Sequence, residues 1–114
     1  MIPVKYRFHG HGSLRYLFKN AQAVRARHIT VKYVANPRRK HPRFSVVVSK
    51  KVHKSAVGRN RIRRRLYEII RLNIPKLTNT YDVALIITNS EVINMEHAEL
   101  EGQVQQLFTQ AGLY

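Results

Sequence analysis

Residues 50–71 hold the densest set of side chains able to do chemistry. They include Lys50, Lys51, Lys54, Arg59, Arg61, Arg63, Arg64, Arg65 and Arg71, nine cations in 22 positions. At this density such groups bind phosphate, and the planar fork of arginine can engage two phosphate oxygens at once. Asn60, among them, could hydrogen-bond a base edge or a 2′-hydroxyl, or serve only as a polar residue near a helix start. The usual parts of a protein nuclease are missing. Such an enzyme clusters carboxylates around Mg²⁺ or sets a histidine beside an acid. Only six acids exist, and four lie between Glu91 and Glu101, where no Lys or Arg accompanies them. Asp82 stands alone at the edge of an expected strand. His9, His11, His28, His41, His53 and His97 show no ligand spacing with acids, and there is no cysteine. Serine-nucleophile motifs and phosphate-cradling glycine loops are absent. No catalytic residue and no metal ligand is assigned; what remains is binding.

The same stretch must be held by something. Ile62, Leu66, Ile69, Ile70 and Asn73 share one side of a helical wheel turned by about 100° per residue, and Asn60, Arg61, Arg64, Glu68 and Arg71 share the other. Arg63 and Arg65 flank the apolar stripe, where long stems can lie along its boundary. This predicts a helix docked by one face and presenting the other to a polyanion. Gly58 favours a start at Arg59, with a first turn possible from Ser55, and Pro75 ends it. His28–Ala35 and Phe44–Lys50 alternate as strands. The basic turn between them, after Asn36-Pro37, suggests a hairpin. In Tyr81–Thr88 both faces are apolar, as in a strand covered on both sides. Strand, helix and strand from Phe44 to Thr88 suggest a parallel pair joined by a crossover helix. Short and long helices are expected over Leu14–Asn20, capped by Ser13, and Met95–Ala111, capped by Asn94 and stopped by Gly112. Residues 1–12 read as an extended basic arm. The order is α-β-β-α-β-α, one α+β or α/β sandwich domain.

Bulk composition agrees. The 114 residues suit a single core, and the net charge of +15 favours nucleic acid ahead of an acidic membrane surface or an acidic protein. All 21 Lys and Arg fall within residues 1–76, beside the single acid Glu68, whereas residues 77–114 carry five acids and no Lys or Arg. The polyanion should therefore meet the first two-thirds of the chain. No apolar run approaches the roughly 20 residues of a membrane span. No signal peptide is read, and the lack of cysteine fits a cytoplasmic protein. Two readings remain open on these grounds: a non-catalytic RNA-binding module and a DNA-binding protein. The second suffers from too many arginines on the exposed face for selective base reading.

One pattern is more specific. Arg59-Asn60-Arg61-Ile62-Arg63-Arg64, preceded by Ser49-Lys50-Lys51 and a short loop, resembles the signature of the bacterial ribonuclease P protein component. His41-Pro42-Arg43-Phe44-Ser45-Val46-Val47-Val48 is similar to the strand that precedes it in that family. The resemblance extends over nearly the whole chain. It implies an α/β sandwich of the ribosomal protein S5 domain 2-like kind, with a left-handed βαβ crossover. It implies a single RNA-binding domain over 1–114 that joins a catalytic RNA, as a 1:1 heterodimer, to remove the 5′ leader of precursor tRNA. That reaction is Mg²⁺-dependent endonucleolytic hydrolysis, with the chemistry and most of the Mg²⁺ carried by the RNA. By match, Lys50, Lys51, Lys54, Arg59, Asn60, Arg61, Arg63, Arg64 and Arg65 would hold the RNA subunit. Arg7, Leu14, Phe18, Thr30 and Lys32 would meet the leader in a cleft between the first helix and the sheet. Leu14 stands where an aromatic is usual, and Thr30 and Lys32 are more polar than the family pattern. Weaker stacking and stronger phosphate attraction are the expected result. The basic C-terminal tail frequent in the family has no counterpart before Tyr114.

Overall fold

The computed structural model describes residues 4–7, 11–37 and 40–114; for residue 4 and residues 11–14 it describes the backbone alone. The elements are α1 His11–Asn20, β1 Gln22–Arg25, β2 Ile29–Ala35, β3 Arg43–Val47, α2 Ala56–Asn73, β4 Tyr81–Ile87 and α3 His97–Ala111. The four strands lie in the order β1-β2-β4-β3. β4 runs parallel to β3 and antiparallel to β2, which is antiparallel to β1. This is the expected α+β sandwich with one strand more.

Strand alternation builds the two faces. Ile29 and Val31 of β2, Phe44 and Val46 of β3, and Val83, Leu85 and Ile87 of β4 are buried together. They form one core with Ile62, Leu66, Ile69 and Ile70 of α2 and with Leu100, Val104, Leu107 and Phe108 of α3. Each of the four α2 residues is fully buried, a contribution of about 1.5–3 kcal/mol apiece to docking the helix. The other face carries Thr30, Lys32 and Ala84. There α1 packs across β2 and β4, with Leu17 fully buried beneath it.

The hairpin expected between β2 and β3 does not form; β4 lies between them. Its run Asp82-Val83-Ala84-Leu85 is buried on both faces, which suits a central position. β3 takes the edge instead. Its outer side is covered by Arg7, in a parallel bridge with Phe44, and by Tyr67, whose hydroxyl accepts from the Val46 amide at 3.2 Å. β1 is too short and too polar to be read from Gln22-Ala23-Val24-Arg25. It is held by its register with β2, Val24 opposite Val31.

Other boundaries shift. Within the expected arm, residues 4–6 form a 3₁₀ turn and His11 and Gly12 belong to α1; residues 1–3 and 8–10 lie outside the described residues. Asn94 ends a 3₁₀ turn, Ser90–Asn94, whose capping side chain is Asn89, and α3 starts only at His97. Gly112 stops α3 at φ 76°, a left-handed conformation that glycine adopts without strain. Asp82 is not alone. It is buried, accepting two bonds from Arg43, at 3.0 and 2.8 Å, and one from Asn36 at 2.9 Å. Among the described residues no helix is long and apolar enough to cross a membrane.

Candidate nucleic-acid interface

The loop and start of α2 are fixed by their own side chains. The Ser55 hydroxyl accepts from the Gly58 amide at 3.2 Å, so the helix begins at Ala56. No acid sits in its first turn, and the positive end of the helix adds to the charge of Lys54. The Ser55 amide donates to His53 Nδ1 at 3.2 Å. Arg59 turns back to donate from Nη1 to the carbonyls of His53 and Lys54, both at 2.9 Å. The loop is thereby tied down with Lys50, Lys51 and Lys54 exposed.

Gly58 is buried where a Cβ would lie 2.2 Å from the His53 ring. Gly58→Ala should therefore destabilise the protein by about 1–3 kcal/mol, against the gain of roughly 1 kcal/mol that alanine brings to a helix interior. Adding His53→Ala should restore most of the loss, as a double-mutant cycle of denaturation midpoints would measure.

The arginines of α2 divide by what they touch. Arg61 and Arg64 are exposed and, among the described residues, have no protein acceptor. With Asn60 and the 78% exposed Val57 they line a shallow open hollow. Asn60 accepts from Arg63 Nη1 at 2.7 Å, which orients both side chains and leaves the amide donors of Asn60 outward. Arg71 engages Glu68, the only acid on the helix, with Nη2 to Oε1 at 2.5 Å. That bond, more than the charge of Arg71, holds the Glu68 carboxyl below its ordinary range and raises the Arg71 guanidinium. Arg65 points the other way. Its guanidinium donates to the carbonyls of Val92, at 2.8 Å, Ile93, at 3.2 Å, and Met95. It clamps α2 to the turn before α3, a role its sequence position beside Arg63 and Arg64 does not reveal.

The residues matched to a leader cleft are only partly together. Phe18, 42% exposed on α1, has the Lys32 ammonium 5.1 Å from its ring centroid. Thr30 lies two residues along the same face and is buried. Leu14 is on α1, with its side chain outside the described residues. Arg7 is elsewhere, at the β3 edge, its guanidinium 5.5 Å from the Tyr67 ring centroid.

The acidic third of the chain gathers no metal site: among the described residues no three His, Asp or Glu converge. The nearest approach is His28, which meets Glu91 at 3.1 Å and Gln103 at 3.2 Å. The His28 bond, with the charge of Arg27, holds the Glu91 carboxyl below its ordinary range. One basic helix face is thus free, and the opposite side of the sheet combines an aromatic ring with an ammonium group.

Residues 2–112 match the family model described as Ribonuclease P. The chain belongs to that family. It is 35% identical over 111 residues to the ribonuclease P protein component of Clostridium kluyveri, covering 96% of each chain. It is 42% identical over 80 residues to that of Chloroflexus aurantiacus, covering 70% of this chain. The matched part is 58% of the length of the Chloroflexus protein. The fold is that of the Staphylococcus aureus RNase P protein, with a TM-score of 0.85 at 22% identity over 96% of this chain and 97% of the other. The Thermotoga maritima RNase P protein gives 0.76 at 19% identity, over 85% of this chain and 89% of the other. Of the two arginines in the run Arg59-Asn60-Arg61, Arg61 is the outward one.

Proposed function

We propose that the chain is the protein subunit of a ribonuclease P ribonucleoprotein. It binds the catalytic RNA through the outer face of α2 and the loop before it, and it promotes removal of the 5′ leader of precursor tRNA in the cytoplasm. The observation that carries this reading is the pair Arg61 and Arg64, exposed and, among the described residues, without protein acceptors, on a helix whose opposite face is docked. Charge held outward in this way repels itself unless phosphate neutralises it. Arginine forks on a rigid helix suit the phosphates and 2′-hydroxyls of structured RNA.

The leader is assigned to the α1 side of the sheet. Phe18 offers a ring to an unpaired base, and the Lys32 ammonium beside it draws the neighbouring phosphate. Hydrolysis belongs to the RNA, which holds most of the Mg²⁺, and the complex contains one copy of each subunit. The protein would act by holding leader and RNA together and by screening their mutual repulsion, an effect that matters most when Mg²⁺ is scarce.

The test is leader cleavage of a precursor tRNA by a bacterial ribonuclease P RNA at low Mg²⁺, with and without the protein. Faster cleavage with the protein is expected. A rate equal to that of the RNA alone would reduce the chain to a non-catalytic RNA-binding module.

A further inference from the structure

A third place on the molecule has the chemistry of a nucleobase site, lined by none of the residues assigned to the two surfaces above. It is a hollow of about 310 Å³ between the start of β3 and the turn that leads into β4. Its walls include Tyr6, His41, Asn79 and Thr80. The rings of Tyr6 and His41 meet edge to face, with centroids 5.5 Å apart and planes at 78°. Tyr6 thus buttresses an exposed imidazole, and an edge-to-face contact occupies at most one of its two faces. Asn79 is exposed in the same hollow, and among the described residues its side-chain amide has no partner. A primary amide offers one acceptor and two donors, the complement of a base edge.

The surroundings favour an anion. No Asp or Glu lines the hollow. The nearest acid in sequence, Asp82, is paired with Arg43 and accepts a further bond from Asn36. Lys5 places its ammonium 5.1 Å from the Tyr6 ring centroid, and Lys40 and Lys76 are exposed beside residues of the walls or of the turn before them. The hollow also continues. Asn79 and Thr80 line a second concavity with Tyr81, whose ring meets Tyr33 edge to face at 6.5 Å. Aromatic faces in series, with lysines alongside, form the pattern that holds a single strand by stacking and charge.

We infer that this end of the sheet takes an unpaired RNA nucleotide, stacked on His41 with its base edge on Asn79 and its phosphate near Lys5. The strand continues toward Tyr81. The inference goes beyond the reading above, because neither leader cleavage nor the α2 face requires this hollow.

The experiment measures binding of the full chain to a fluorescently labelled ten-nucleotide oligouridylate across a salt series. His41→Ala and Asn79→Ala both alter exposed side chains outside the core, and circular dichroism melts check that each remains folded. Either variant should weaken binding by about five- to a hundred-fold, the range for losing one stacked or read base. The salt slope should stay unchanged, since no phosphate contact is removed. Lys5→Ala should instead lower the slope. Repeating the measurement with precursor tRNA, mature tRNA and ribonuclease P RNA identifies the source of the strand. A loss confined to precursor tRNA assigns it to the leader, and a loss with the RNA subunit assigns it to an unpaired loop there. Unchanged oligouridylate affinity in both folded variants overturns the site, whatever the cleavage assay shows.

Discussion

Replacing Arg61 and Arg64 together by alanine should weaken binding to ribonuclease P RNA by about a hundred-fold. The estimate assigns roughly 1.5 kcal/mol to each lost charge-assisted bond. The slope of log affinity against log salt should become shallower by about 1.5, as two phosphate contacts cease to release counterions. Both side chains are exposed and, among the described residues, neither has a protein acceptor, so the melting temperature should stay put or rise slightly as repulsion along α2 falls. Arg65→Ala is the informative contrast. Its three carbonyl acceptors lie on the turn before α3, so it should lower stability and leave the salt slope nearly unchanged. Filter-binding titrations at four or five salt concentrations separate the two. Equal slopes for the wild type and the Arg61/Arg64 variant would remove the α2 face from the RNA interface.

The largest stability effect is expected at Asp82. Its carboxylate is buried at the middle of the sheet's end, taking a bidentate bond from Arg43 on β3 and a third bond from Asn36 beyond β2. The side chains of Arg43 and Asp82 are only 12% and 5% exposed. Asp82→Asn keeps the volume and removes the charge, so the Arg43 guanidinium stays buried without its carboxylate. Breaking one side of such a pair costs about 3–5 kcal/mol, a large part of the 5–15 kcal/mol typical of a whole domain. Urea denaturation should show a much lower midpoint with a similar slope. Replacing both partners, Arg43→Met with Asp82→Leu, should recover most of the loss, because no buried charge is left over. If the single and double variants unfold at the same midpoint, the pair contributes through packing alone.

The two predictions differ in what made their residues visible. Arg61 and Arg64 could be placed from sequence because a helix repeats locally. Ile62, Leu66, Ile69 and Ile70 mark the docked side, and the positions between them must point outward whatever the helix docks against. The apolar faces of Tyr81–Ile87 announced a covered strand for the same reason. Its parallel pairing with β3 followed from the helix between them. The partition of charge between the first 76 residues and the rest also needs no coordinates.

Asp82 could not be placed in this way. Its partners lie 39 and 46 residues away, and they meet only because β4 enters between β2 and β3. The hairpin expected from the turn between those strands was the economical local solution. The tertiary structure prefers β4 at the centre because its buried run is covered on both faces, whereas β3 has the Tyr67 hydroxyl and Arg7 to cover its open edge. Arg65 and Arg59 are similar cases. Both carry the charge of an RNA contact, yet one guanidinium faces the carbonyls of the turn before α3 and the other the carbonyls of the loop before α2. The hollow at His41 and Asn79 joins residues from two turns that are far apart in the chain. By itself, then, the sequence determined the helix proposed to bind, the side it presents to solvent and the family. Only the tertiary structure decided which cations are free, which acid is paired and which strands are neighbours, since those depend on the path of the chain and leave no local period.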